Sequence, residues 1–112
     1  MIDEIIELIQ RAIQFINNII RRVINGILNF VRDIVNKFKS WNLKQNVDIP
    51  FIADKEQFKA KLHSAPVKNA GIFQGVYNEA TDEITHAEII EADALDEQTR
   101  RTLGKEELVV LQ

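Results

Sequence analysis

The chain has 112 residues, 46% of them hydrophobic, with a formal net charge of -3 and no cysteine. That much apolar content argues against disorder, and the length allows one domain, or one long element with a small module. Without cysteine there is no disulfide framework and no thiol nucleophile, and the commonest structural zinc ligand is missing.

The first forty-one residues, Met1 to Trp41, carry an apolar stripe at helical spacing. It comprises Ile2, Ile6, Ile9, Ile13, Ile16, Ile20, Val23, Ile24, Ile27, Val31, Ile34, Phe38 and Trp41, with Ile5 alongside. Polar residues such as Glu7, Arg11, Asn18, Arg22, Asn29 and Asn36 fall on the opposite side, and no proline intervenes. The pattern predicts one continuous amphipathic helix, interrupted in composition only by Gly26. Such a helix would be roughly 60 Å long. A heptad template also fits, with Ile2, Ile9, Ile16, Val23 and Phe30 on one track and Ile6, Ile13, Ile20, Ile27 and Ile34 on the other. Isoleucine on both tracks favours three or four strands, while Ile5, Ile19, Ile24, Val31 and Phe38 make the face wider than a two-helix seam.

Residues 42–53 read as a connector, with Pro50 pushing Ile49 towards an extended conformation. Asp54 is the expected N-cap of a short helix over 55–64, with Gln57 in an approximate capping box and Pro66 beyond its end. A β-hairpin follows, with strands near 71–77 and 84–91 and a turn containing Asn78 and Asp82. Ile89 and Ile90 break the alternation, which predicts a sheet with one face only partly covered. Asp93 is the expected cap of a last helix with Asp96 and Glu97 in its first turn, Arg100 and Arg101 in its last and Gly104 as its stop. Residues 107–111 read as a terminal strand that joins the hairpin in a three-stranded sheet, since a lone hairpin is marginal. The expected fold class is therefore α+β: a long N-terminal amphipathic helix over 1–41, a linker over 42–53, and over 54–112 a small module with a three-stranded antiparallel sheet and two short helices.

Nothing in the chain reads as catalytic, cofactor-binding or metal-binding. There is no glycine-rich phosphate loop, no GxSxG and no HExxH. His63 and His86 lie on different elements, and His63 beside Ser64 lacks the third group that a nucleophile and base require. Glu79, Asp82, Glu83, Glu88 and Glu91 make the hairpin acidic, but the loop has no EF-hand spacing and reads as a solvated turn.

Charge is unevenly placed. Residues 1–41 hold six Arg/Lys against four Asp/Glu, for +2, and the remaining eight against thirteen give -5. An acidic module repels phosphate, so nucleic acid is an unfavourable partner for Arg11, Arg21, Arg22, Arg32, Lys37 and Lys39. Asp3 and Glu4 stand where a secretory signal would be basic, and the charges on the polar face exclude a spanning helix.

A short sheet covers about a third of a rod this long. Eight large aliphatics left in water would forfeit about 12 to 24 kcal/mol, more than a domain's whole stability. The stripe therefore predicts a non-enzymatic assembly or interaction protein. Its helix is expected to self-associate in a helical bundle, or to pack with partner helices, and to display an acidic α+β module. The alternative is a peripheral protein whose helix lies on an anionic membrane surface, a use to which Phe15, Phe30, Phe38 and Trp41 are suited. A cytoplasmic setting, with membrane association under that alternative, is the expectation in either case.

Overall fold

The computed structural model describes residues 2–16, 19–55 and 67–111. It is α+β, and its centre is a five-stranded mixed sheet in the order β1-β5-β4-β3-β7. In chain order the elements are α1 (Ile2–Ile13), β1 (Ile20–Val23), β2 (Ile27–Leu28), a π-helix (Phe30–Val35) running into α2 (Asn36–Ser40), β3 (Asp48–Asp54), β4 (Ala70–Asn78), β5 (Glu83–Ala92), β6 (Ala94–Leu95), α3 (Glu97–Leu103) and β7 (Leu108–Val110). Strand β1 runs parallel to β5. The β5–β4, β4–β3 and β3–β7 pairings are antiparallel.

The N-terminal helix exists, but it stops at Ile13 instead of continuing to Trp41. Its end tightens through Gln14, Phe15 and Ile16, whose N–H groups reach back three residues to Arg11, Ala12 and Ile13. Isoleucine and valine are as well suited to strands as to this stripe, and Ile20–Val23 takes the outermost place in the sheet. After β1 the chain turns at Gly26, whose φ of 123° is open to glycine alone. The 42–53 connector is likewise corrected: residues 48–54 form β3, between β4 and β7. Pro50 stands at the end of the pairing with β7: its carbonyl accepts from the Leu111 N–H, and the N–H that proline lacks costs the ladder one bond at its end.

Because the sheet is the middle layer, both of its faces are apolar. One face presents Ile49, Phe51, Ala53, Phe73, Tyr77, Ile89 and Leu108 to Ile9 and Ile13 of α1. The other presents Ile52, Ile72 and Ile90 to Leu28, Ile34 and Leu103. Ile89 and Ile90 therefore do not signal a half-covered sheet: each is fully buried on its own face. The helices lie on these two faces and make no bundle, which corrects the expected helical core.

The hairpin is close to expectation, with strands at 70–78 and 83–92. The terminal strand also forms, but it pairs with β3 and not with the hairpin, so the sheet gains two strands beyond the expected three. The last helix ends at Gly104 as read, and its cap is Asp96, not Asp93. Asp93 instead accepts from the N–H of Gly26, while its own N–H donates to the Gly26 carbonyl. The helix expected over 55–64, with His63, falls outside the described residues apart from Lys55.

Asp96 and Asp33 tie the second layer together. Asp96 accepts from Thr99 at the start of α3 and from Phe30 at the start of the π-helix. Asp33 accepts from the Asn29 N–H and from Arg32. Burial pushes each carboxyl up, but these donors outweigh it and hold both below the usual carboxylate range. A depressed carboxyl contributes stability above its unfolded pKa and loses it as pH falls through the folded value. The unfolding free energy should therefore be flat above about pH 5 and decline below about pH 4. Asp33→Asn should make that acid decline shallower, as read by urea melts between about pH 4 and pH 2.

Candidate functional site

The most unusual chemistry lies where β1 meets β5. Arg21 and Arg22 are adjacent in a strand, so they project to opposite faces of the sheet. Glu88 and Glu91, three apart on β5, do the same. Arg21 Nε lies 2.7 Å from Glu91 on the α1 face, and Arg22 Nε lies 3.0 Å from Glu88 on the other. Glu91 is 0% exposed and also accepts from the Val67 N–H. Glu88 is nearly as buried and has a second cation, Lys37, at 3.3 Å. The parallel register opposes Arg21 to Ile89 and Arg22 to Ile90, so each ion pair runs diagonally across the ladder. A one-residue slip of β1 would send each arginine to the wrong face.

Around Glu88 the polar track continues. Gln74 is its direct cross-strand partner, and the Gln74 amide donates to the Ile34 carbonyl at 2.7 Å. Arg22 donates to the Asp33 carbonyl at 3.1 Å. Both carbonyls belong to the π-helix, so these two side chains serve backbone that the neighbouring fold leaves to be satisfied. At the outer end of the track the Trp41 and His86 rings stack with centroids 4.7 Å apart. Lys37 Nζ stands 5.9 Å from the Trp41 ring centre.

Among the described residues no three histidine, aspartate or glutamate side chains converge as a metal-binding group. The arrangement fixes where β1 lies.

What it fixes in place is an apolar edge. The predicted interaction stripe divides into three groups. Ile9 and Ile13 are buried against the sheet by α1, with Ile6 and Ile16 packed beside them, and Ile2 opens that helix. Ile34 is buried on the other face, with Ile24 and Phe38 against it, and Trp41 is half-buried on His86. The remaining four face solvent: Ile20 is 67% exposed, Val23 42%, Ile27 59% and Val31 51%. Ile20 and Val23 stand on opposite faces of the outermost strand β1, Ile27 lies on β2 in the two-stranded sheet that follows, and Val31 lies in the first turn of the π-helix. Among the described residues no helix is long and apolar enough to cross a membrane.

Sequence reasoning missed the double arginine–glutamate clamp. Its signal was two adjacent arginines inside an apolar run and a Glu-x-x-Glu pair inside a β-branched one. Compared with family models, with curated proteins and with solved structures, the chain shows no match.

Proposed function

We propose that the chain is a non-enzymatic interaction protein that associates through the exposed aliphatic side chains of the 20–31 segment, Ile20, Val23, Ile27 and Val31, a second copy of the chain being the partner. The observation that carries this reading is the exposure of four large aliphatic side chains within twelve residues, two on the outermost strand β1, one on β2 and one at the start of the π-helix. Scattered exposed aliphatics are ordinary, whereas several close together in the chain, beginning on an outermost strand, are what docking surfaces share.

The magnitude sets the kind of association. Full burial of such side chains is worth about 1.5 to 3 kcal/mol each, and roughly half of each is still exposed, so about 3 to 6 kcal/mol is available. After the costs of docking, that supports weak and reversible association, not an obligate oligomer core.

Sedimentation equilibrium from about 10 μM to about 1 mM tests it. The mass should rise above 12.9 kDa with concentration, and Val23→Lys with Ile27→Lys should hold it at the monomer value. A wild type that stays at 12.9 kDa throughout overturns the reading. Cosedimentation with anionic vesicles, lost in the same variant, would transfer the edge to a lipid surface.

A further inference from the structure

The C-terminal end of α1 and the turn between β4 and β5 line a groove of about 350 Å³ that shares no residue with the 20–31 segment. Its apolar lining is Ala12, Phe15, Ile16 and Ile84, and Asp82 and Glu83 form its rim. Phe15 is 79% exposed, so a large ring stands at the mouth. Among the described residues this lining holds two carboxylates and no lysine, arginine or histidine.

The negative charge of the groove comes from Asp82 and Glu83, to which the C-terminal pole of α1 adds about half a charge, partly offset by Arg11 in the last turn of that helix. The Tyr77 hydroxyl donates to Asp82 and is pushed up to about 12, by burial first and then by Asp82 and Glu79, with Arg11 acting the other way.

We propose that this groove docks a basic apolar peptide segment, one large aliphatic side chain seated beside Phe15 and Ile84 and a lysine or arginine on Asp82 and Glu83. The volume is at the low end for ligand clefts, of order 300 to 1,000 Å³, which suits a single anchoring side chain. Charge complementarity selects the flanking residues, because an acidic peptide would meet two carboxylates and a helix C-terminus. This surface is separate from the edge at residues 20–31 and its occupancy does not depend on self-association.

The test uses a dye-labelled synthetic peptide of alternating lysine and leucine, read by fluorescence anisotropy against its glutamate–leucine and lysine–serine counterparts. The lysine–leucine peptide should bind, with amide shifts in ¹⁵N spectra concentrated at Phe15, Ile16, Asp82, Glu83 and Ile84. Asp82→Asn with Glu83→Lys should weaken binding about three- to ten-fold, as should raised salt. Asparagine is chosen because it tolerates the positive φ of 57° at this turn position. Phe15→Ser, which removes a ring outside the core, should weaken it as well. Unchanged affinity in the charge variant, equal binding of the glutamate–leucine peptide, or shifts confined to residues 20–31 overturns the proposal.

Discussion

Replacing Arg21 with alanine should lower the unfolding free energy by about 3 to 5 kcal/mol, the range for removing one partner of a buried ion pair. Glu91 is wholly buried, and among the described residues the variant leaves its carboxylate with the Val67 N–H in place of a cation. Arg22→Ala should cost clearly less, since Lys37 stays beside Glu88 and Arg22 is the more exposed of the two arginines. Urea titration followed by Trp41 fluorescence checks both. Equal losses for the two variants would mean that Lys37 gives Glu88 no support. The paired change Arg21→Met with Glu91→Leu should restore most of the stability, because apolar side chains of similar size replace a buried pair without leaving a charge behind.

The second large effect is expected at Phe51. Its ring is fully buried on the α1 face, stacked on Phe73 with centroids 5.7 Å apart, and it lies across Gly75. Phe51→Ala should cost about 3 to 5 kcal/mol through lost burial and the cavity left behind. A methyl group at position 75 would stand 2.7 Å from Phe51 Cζ and 3.0 Å from the His86 carbonyl oxygen. Gly75→Ala alone should therefore cost about 1 to 3 kcal/mol by overpacking. In combination with Phe51→Leu the two should cost less than their sum, since the shorter side chain vacates the space that the methyl group needs. Strict additivity in a double-mutant cycle would show that the ring and the glycine do not share that space.

The parts of the fold that were legible in the sequence are those decided by neighbours in the chain. The β4–β5 hairpin, α3 with its glycine stop, and β7 are bounded by local turn and cap residues, and the structure places them within a few residues of expectation. The 14–41 stretch was not legible, because isoleucines at three- and four-residue spacing satisfy a helical stripe whether or not the chain is helical. What overrides the helix there is distant: Glu88 and Glu91 for β1, Asp93 for Gly26, and Asp96 for the start of the π-helix. Reckoned as a rod, the stripe implied an obligatory partner; divided between two faces of a sheet, most of it is already covered. Of the predicted interaction residues whose side chains are described, Ile20, Val23, Ile27 and Val31 are the ones left mostly in solvent. The acidic turn was visible as charge, but the groove beside it depends on Phe15 and Ile16 arriving from the far end of α1.

The diagonal clamp also has a consequence for how the molecule is born. Ile20 pairs with Glu88, so the outermost strand leaves the ribosome sixty-eight residues (88 minus 20) ahead of the strand that receives it. At translation speeds of about 5 to 20 residues per second, that is a wait of roughly 3 to 14 s, against microseconds for a hairpin to close once made. For that interval the isoleucine-rich leader has no sheet to join, and a transient amphipathic coil is the one local order its own spacing can supply. The strand's place in the native sheet is thus decided only once its two glutamates have been synthesised.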